Sequence, residues 1–225
     1  YNQDAFLAEA IESVLAQDFD DWELVIGEDC STDNTLAVAT SYEAAHPNRI
    51  RVLRDKENLG GRKNFLRTMR ACRGEFVANL DGDDFWSSTT KLSQQVAWLD
   101  SHPECALVFT PSLQDRQSFG LPPGVHYPPK RQGFYDLEDL LWGNFIGSGS
   151  VLRRQLDLDE LPDWFHVVPI GDWPMHVLCA QQGRIGYIDE VMFVHREHNL
   201  GVWSKLTNLA RVQQRLDVRQ FFRSH

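Results

Sequence analysis

Residues Glu75-Phe-Val-Ala-Asn-Leu-Asp-Gly-Asp-Asp84 form an apolar run of strand length that leads directly into an acidic turn. Three carboxylates within four residues repel one another, and a hard divalent cation such as Mg²⁺ or Mn²⁺ would offset that repulsion. Gly82 permits close approach of the backbone to a ligand. The spacing leaves a second interpretation open, an exposed acidic turn that caps the following helix. A calcium-binding EF-hand loop is excluded, because its downstream glycine and bidentate glutamate are missing.

Strand and helix patterns alternate on both sides of this stretch. Helices are predicted over residues 4–17, up to about 45, 62–73 and 89–101, and strands over 22–26, 50–53, 75–80 and 105–110. This alternation predicts an α/β fold, Rossmann-like, with a mostly parallel sheet and helices on both faces. Ligands of such a sheet bind at the carboxyl ends of the strands. The two polar turns, 28–34 and 81–84, both lie at that edge.

The second half of the chain is less regular. Residues 111–135 contain five prolines and little periodicity, which predicts a long surface loop. Beyond this loop the pattern predicts helices near 136–143 and 172–182, strands near 146–152 and 184–195, and a helix in the tail from Ser204 to Phe222. We therefore expect the regular sheet to come mainly from the first half.

Composition excludes several classes of protein. The 225 residues are 42% hydrophobic, which fits one α/β domain, and the net charge of -10 argues against a nucleic-acid partner. No apolar run approaches the roughly 20 residues that span a bilayer, and no signal-peptide pattern is present. The four scattered cysteines predict reduced thiols in a cytoplasmic protein without structural zinc.

Two further segments offer ligand contacts. Asp29 follows the predicted strand 22–26 and is placed to accept hydrogen bonds from a base or ribose, whereas Asp33 is expected to cap the next helix. Segment 49–73 holds nine Lys or Arg residues against two acids. Within it Arg62, Lys63 and Asn64 lie near a helix start, where backbone N–H groups favour phosphate. A solvated helix face is the alternative.

An ordered set of motifs resembles the inverting family 2 glycosyltransferases, which have a GT-A fold. The matching segments are Tyr1-Asn2, 10–17, 22–24, 29–35, 58–60, 73–75 and 81–84. They cover about residues 1–110 strongly and the rest loosely. The family carries a first strand ending in Pro-Thr before the matching Tyr, and the sequence starts at Tyr1. We therefore expect this strand to be absent, either because the chain is a trimmed fragment or because the sheet is closed differently.

The resemblance implies a donor site and a metal. Tyr1 matches the aromatic residue that stacks on uracil, Asp29 the carboxylate that reads the base, Asp83 the metal-binding member of the DxD motif, and Asp81 the residue beside ribose and metal. Bound Mn²⁺ or Mg²⁺ would neutralise charge on the departing nucleotide. The nucleotide-sugar site predicted in this way comprises Tyr1, Asp29, Lys63, Asn64, Asp81, Gly82 and Asp83.

On the acceptor side the resemblance singles out Asp172 in Ile170-Gly-Asp-Trp-Pro174 as the catalytic base. A helix N-cap is the alternative role for this residue. His198, ahead of Gly201-Val-Trp-Ser204, resembles a histidine that completes the metal site, and imidazole is an acceptable third ligand. His195 is a weaker candidate. Segment 144–150, rich in small residues, is either a wall beside the donor sugar or a turn into a strand.

These expectations combine into a metal-dependent transfer of sugar from a UDP- or dTDP-sugar to a hydroxyl of a saccharide or lipid-linked saccharide, with inversion. Residues 1–110 would bind the nucleotide sugar, 111–203 the acceptor, and 204–225 would form a terminal helix. The predicted location is cytoplasmic, at the inner face of the membrane if peripheral to it. Two alternatives are a sugar-1-phosphate nucleotidyltransferase, whose Gly-rich phosphate loop is missing, and a non-catalytic nucleotide-binding protein.

Overall fold

The computed structural model describes residues 1–168, 171–199, 201 and 206–224. The helices within these residues are α1 (Leu7–Leu15), α2 (Thr35–Ala45), α3 (Gly61–Ala71), α4 (Lys91–Ser101), α5 (Leu137–Leu141), α6 (Asp172–Ala180) and α7 (Asn208–Ser224). The strands are β1 (Leu24–Gly27), β2 (Ile50–Leu53), β3 (Phe76–Ala78), β4 (Phe85–Trp86), β5 (Cys105–Phe109), β6 (Ser112–Asp115), β7 (Gly124–His126), β8 (Phe134–Tyr135), β9 (Leu152–Arg154), β10 (Arg184–Tyr187) and β11 (Phe193–Arg196). The predicted α/β class is confirmed. The predicted start of the tail helix at Ser204 lies outside the described residues.

The strands form three sheets in the described part of the chain, with orders β1-β2, β3-β9-β5-β10-β8 and β4-β11-β6-β7. Parallel pairing, as the alternation predicts, is found for β1 with β2, β5 with β10 and β6 with β11. The other pairs are antiparallel. The pairing is therefore mixed, because β9 inserts between β3 and β5 and short connections in the second half allow antiparallel neighbours.

Strand β5 forms the centre of the core and is buried over its whole length. Leu107 and Phe109 belong to a hydrophobic cluster that includes Met175 of α6, while Val108 belongs to a second cluster that includes Leu99 of α4. Helices thus cover both faces of this strand, as the sequence pattern predicts. Burial on both faces explains why β5 is a continuous apolar run rather than an alternating one.

The prediction of a long loop over residues 111–135 is wrong. Strands β6 and β7 pair as a hairpin with Ser112 opposite His126, a 3₁₀ turn spans Gln117–Phe119, and β8 follows. The prolines stand before β6, between β6 and β7, and between β7 and β8, so they delimit short strands rather than abolish them.

The strand predicted near 146–152 is displaced along the chain. Residues Ser148–Ser150 form a 3₁₀ turn, and the strand is Leu152–Arg154. The end of the small-residue segment forms a turn, because Gly and Ser lack the side chains that pair well across a sheet. A place for the segment beside the donor sugar stays a prediction.

Gly149 lies in this turn against the buried ring of Phe193. A Cβ atom built on Gly149 would lie 2.2 Å from Cε2 of Phe193. We expect Gly149→Ala to lower the free energy of unfolding by about 1–3 kcal/mol, because an overpacked core forces side chains and backbone to shift. Urea denaturation would measure this, with Gly133→Ala as the control, since nothing lies within 4 Å of a Cβ on Gly133. Equal midpoints for the two variants would contradict the expectation.

Candidate active site

The acidic turn 81–84 connects β3 to β4, and its last residue is an internal anchor. Asp84 is 1% exposed, and its Oδ1 accepts a hydrogen bond of 2.8 Å from the backbone N–H of Arg196. Its Oδ2 lies 3.1 Å from Nδ1 of His195. Burial would lower the pKa of His195, but the hydrogen bond and charge of Asp84 raise it to about 9. Asp84 therefore ties the turn to the end of β11.

Asp83 and His198, two of the three implied metal ligands (Asp81, Asp83 and His198), lie together. Asp83 Oδ2 is 3.0 Å from His198 Nε2, although the residues are 115 positions apart in the chain. Arg196 Nη1 donates a 2.6 Å hydrogen bond to the backbone carbonyl of Asp83, and its Nη2 donates to Glu9 of α1. The position of Asp83 is therefore fixed through its backbone, while its carboxylate contacts His198.

Asp81 lines a cleft of about 1560 Å³. Ser148 Oγ donates a 3.1 Å hydrogen bond to its Oδ2. Desolvation by the surrounding protein raises the pKa of Asp81 to about 7, and repulsion by Asp84 and Asp83 adds to the effect. A carboxylate with a pKa raised in this way would be stabilised by a cation nearby.

The donor set fits a divalent cation that arrives with a phosphate ligand. Two ligands at right angles around a six-coordinate ion with bonds of about 2.1 Å lie about 3 Å apart, the separation of Asp83 Oδ2 and His198 Nε2. Among the described residues, no group of three or more His, Cys, Asp and Glu side chains could hold a metal ion. Mg²⁺ and Mn²⁺ sites commonly use one or two carboxylates and take their remaining ligands from substrate phosphate and water.

The predicted base-binding residues lie around the turn 28–34. The backbone N–H of Asn2 donates to Ser31 Oγ at 3.0 Å and its Oδ1 accepts from the N–H of Thr32 at 2.9 Å, so Tyr1 is held next to this turn with 55% of its surface exposed. Asp29 is buried, and its two oxygens accept hydrogen bonds from the backbone of residues 59 and 60. Asp29 thus joins two turns, and contact with a base stays a prediction.

The basic residues at the start of α3 have different surroundings. Asn64 Nδ2 donates to the carbonyl of Gly27 at 2.8 Å, while Lys63 is exposed. Arg62 donates hydrogen bonds to the carbonyls of Phe165 and Val168, so it supports the 163–168 segment instead of pointing at a phosphate site. Of the three, only Arg62 lines the cleft, and contact of Lys63 or Asn64 with a nucleotide sugar stays a prediction.

Asp172 is the first residue of α6 and lines the same cleft as Asp81. Its Oδ2 accepts a 3.1 Å hydrogen bond from Nδ2 of Asn144. The capping interpretation does not match this geometry, because the N-cap residue is Gly171 and no side-chain cap hydrogen bond is formed there. The carboxylate is therefore oriented by Asn144 toward the cleft that contains the acidic turn.

One face of the β4-β11-β6-β7 sheet forms a cleft wall that the sequence did not predict. Register places Ser112 opposite His126 and Phe193, and Gln114 opposite His195. Residues opposite each other or two apart share a face, and these residues all line the cleft. Arg215 and Arg219 of α7 line it as well. The one signal for the arginines was their four-residue spacing in the tail, from 211 to 223.

A buried lysine belongs to the hydrogen-bond network that stabilises the turn Ser148–Ser150. Lys91 Nζ donates to Gln95 Oε1 at 2.6 Å and lies 4.5 Å from the ring centroid of Trp86. Gln95 Nε2 in turn donates to the carbonyl of Ser150 at 2.8 Å, and Trp86 Nε1 donates to that of Gly149 at 3.0 Å. The network fixes the turn whose Ser148 contacts Asp81. Sequence periodicity could not reveal it, because a lysine in an amphipathic helix is expected to face solvent.

Burial lowers the pKa of Lys91 from 10.5 to about 7. Between pH 7 and pH 10.5 the unfolded chain binds a proton that the folded protein does not. The free energy of unfolding therefore rises with pH across this window and falls again as pH is lowered toward 7. The measured quantity is the free energy of unfolding of the native protein minus that of Lys91→Met. We expect this difference to rise between pH 7 and pH 10 by on the order of 1.4 kcal/mol per pH unit. Urea titrations at several pH values measure this. Lys130→Met, a substitution at an exposed position, is the control, and the same difference measured for it should not change with pH.

The comparisons with known proteins agree with this geometry. The model of the family described as "Glycosyl transferase family 2" matches residues 1–159. An uncharacterized protein of Mycobacterium tuberculosis is 36% identical over 205 residues, which cover 90% of this chain and 58% of that protein. The putative teichuronic acid biosynthesis glycosyltransferase TuaG of Bacillus subtilis is 32% identical over 166 residues, 72% of this chain and 63% of TuaG. The chain thus spans about three fifths of the length of these relatives.

Solved structures share the fold. The Staphylococcus aureus TarS 1-349 complex with UDP has a TM-score of 0.71 at 21% identity, covering 88% of this chain and 58% of that one. The mannosyltransferase PcManGT from Pyrobaculum calidifontis, in complex with GDP-Man and Mn²⁺, has a TM-score of 0.69 at 20% identity, covering 100% and 61%. None of the helices that the structure describes combines the length and the hydropathy of a membrane span. The family match over more than half of the sequence shows that this chain belongs to glycosyl transferase family 2 and has its GT-A fold.

Proposed function

We propose that this chain transfers a sugar from a nucleotide diphosphate sugar to an acceptor hydroxyl with inversion at the anomeric carbon. The observation that carries the proposal is that Asp81 and Asp172 line one cleft, with the Asp83–His198 pair beside Asp81. The acidic turn suits the diphosphate and its cation, and Asp172 suits the opposite side of the reacting carbon. Inversion needs one carboxylate in that second position.

Asp172 and the acidic turn have separate roles in the proposed reaction. Asp172 accepts the proton of the acceptor hydroxyl as its oxygen attacks the anomeric carbon, and Asn144 keeps the carboxylate oriented through its 3.1 Å hydrogen bond. Asp83 and His198 would hold Mn²⁺ or Mg²⁺, with Asp81 nearby. When bound, the ion supplies Lewis-acid stabilisation of the departing nucleotide diphosphate. The bond between the sugar and the diphosphate breaks as the new glycosidic bond forms.

We propose a UDP-sugar as donor, with a dTDP-sugar as the alternative pyrimidine nucleotide. The complex of TarS with UDP supports this choice, whereas that of PcManGT with GDP-Man shows that the fold also accepts a purine. Tyr1 and the turn 28–34 would contact the base. The kinship with TuaG supports a role in polysaccharide synthesis, with a saccharide or lipid-linked saccharide as acceptor. The unpaired state of all four cysteines supports a cytoplasmic location.

The test is release of UDP, dTDP or GDP from a panel of nucleotide sugars, with and without Mn²⁺ and Mg²⁺, together with the anomeric configuration of any product determined by NMR. We expect metal-dependent release from at least one UDP-sugar and an inverted product. Tight binding of nucleotide sugars without turnover, unchanged by Asp172→Asn, would favour the non-catalytic alternative. A retained configuration would refute the role of Asp172.

A further inference from the structure

The part of the cleft lining that comes from the second half of the chain is richer in basic side chains than in acids. The chain carries a net charge of -10. The cleft-lining residues from 112 onward nevertheless include one acid, Asp172, against four basic or imidazole side chains. These four are His126, Arg215, Arg219 and His195, of which His195 is paired with Asp84. The lining residues before position 112 show the reverse, with five acids and two arginines.

The basic side chains come from two elements that face this part of the cleft. His126 and His195 lie on the same face of the β4-β11-β6-β7 sheet, as its register requires. Burial lowers the pKa of His126, and the positive charges of Arg215 and His195 lower it further, so each of these two groups lies within electrostatic reach of His126. The sheet and α7 therefore contribute to one basic surface.

This surface adjoins the proposed base. Arg219 donates a hydrogen bond to the carbonyl of Trp142, two residues before Asn144, and Asn144 holds Asp172. An acceptor must place its hydroxyl next to Asp172. Arg219 is connected to that position through this segment, and Arg215 lies one helical turn before it in α7. An anionic acceptor would be repelled by the carboxylate of Asp172 unless cations flanked it, and these residues provide such flanking charges.

We propose that the acceptor is an anionic glycan, whose phosphate or carboxylate groups are bound by Arg215 and Arg219 with His126 beside them. This inference rests on the proposed function and adds the substrate class to it. The planar guanidinium group suits both anions, because it donates two parallel hydrogen bonds to either.

The experiment measures binding of three probes by isothermal titration calorimetry in the presence of UDP and Mn²⁺. The probes are a hexamer of galacturonic acid, a glycerol phosphate oligomer of similar length, and maltohexaose as the neutral glycan. We expect one or both anionic probes to bind and maltohexaose to bind at least roughly tenfold more weakly, since hydrogen bonds to charged groups are stronger than those between neutral groups. The stronger of the two anionic probes distinguishes a carboxylate from a phosphate ligand.

Variants assign the binding to this surface. The double variant Arg215→Gln, Arg219→Gln should weaken binding of the anionic probe by roughly 10- to 100-fold. The matched control is Arg211→Gln, Arg223→Gln, which removes two arginines of the same helix that do not line the cleft, and its affinity should be unchanged. Circular dichroism and thermal unfolding verify that both double variants fold.

Other outcomes overturn the proposal. If maltohexaose binds as tightly as the anionic probes, the acceptor end is not selective for charge. If the Arg215, Arg219 variant loses affinity for UDP instead of the anionic probe, the two arginines belong to the donor diphosphate. Release of UDP without acceptor, measured on the same preparations, separates failure of this inference from failure of the proposed function. UDP release with no preference for anionic glycans rejects this inference alone, whereas no metal-dependent UDP release from any donor rejects the proposed function itself.

Discussion

Asp172→Asn should reduce turnover by roughly 10²- to 10⁴-fold, the usual effect of losing a general base. The amide has nearly the same shape as the carboxylate, and its oxygen can still accept the hydrogen bond from Asn144. It cannot take the proton of the acceptor hydroxyl at neutral pH. Steady-state kinetics should therefore show a loss in kcat, while the Kd for UDP in Mn²⁺ stays within about twofold, a change well under 1.4 kcal/mol.

Two further variants make this result specific. Asp163→Asn changes a neighbouring acid in the 3₁₀ turn Asp163–His166, outside the cleft lining, and should leave kcat unaltered. Asn144→Ala removes the hydrogen bond that orients Asp172 and should lower kcat by less than Asp172→Asn does. Equal turnover for Asp172→Asn and the native protein would show that another group accepts the proton.

The sequence predicted the donor half better than the acceptor half for a physical reason. Strands such as β1, β3 and β5 are apolar runs delimited by polar turns, and α1 and α3 repeat their apolar residues at helical spacing, so local pattern and structure agree. The β6–β7 hairpin has short strands bounded by proline and a register set by partners far along the chain. Its contribution to the cleft through His126 could not be read from local pattern.

The acidic turn shows the same limit at the level of single residues. The spacing of Asp81, Asp83 and Asp84 suggested one shared cation site. The structure gives each carboxylate a different surrounding: Ser148 for Asp81, His198 for Asp83, and the end of β11 for Asp84. The roles depend on contacts more than 60 residues away in sequence, and resemblance rather than spacing connected His198 to the turn.

Arg196 explains how such a charged turn can hold one conformation. It donates to the carbonyl of Asp83 and to Glu9, and its guanidinium lies 4.9 Å from the ring centroid of Phe6 and 5.0 Å from that of Phe85. The guanidinium group of Arg196 thus connects α1 to the turn, and the backbone N–H of Arg196 donates a hydrogen bond to Asp84. Because the fixing bond reaches the backbone of Asp83, the side chain at position 83 can be changed without releasing the turn.

That separation makes Asp83→Ala a clean test of the metal site. We expect the variant to lose metal-dependent binding of UDP, with Kd in Mn²⁺ raised by roughly 100-fold or more, since loss of a residue that merely supports a metal ligand already costs about 10- to 100-fold. His198→Ala should have a smaller effect in the same direction. In EDTA, the native protein and both variants should bind UDP equally weakly.

The control for Asp83→Ala is Asp20→Ala, which removes an acid whose side chain is 98% exposed. It should bind UDP in Mn²⁺ as the native protein does, and thermal unfolding should show that all variants fold. If Mn²⁺ strengthens UDP binding to Asp83→Ala as much as it does for the native protein, Asp83 is not a ligand, and the 3.0 Å contact with His198 is a hydrogen bond that only organises the turn. If instead the metal effect disappears in Asp83→Ala and weakens in His198→Ala, the two side chains act on the same ion. The donor end of the cleft would then work through an ion held jointly by the DxD turn and the segment that follows β11.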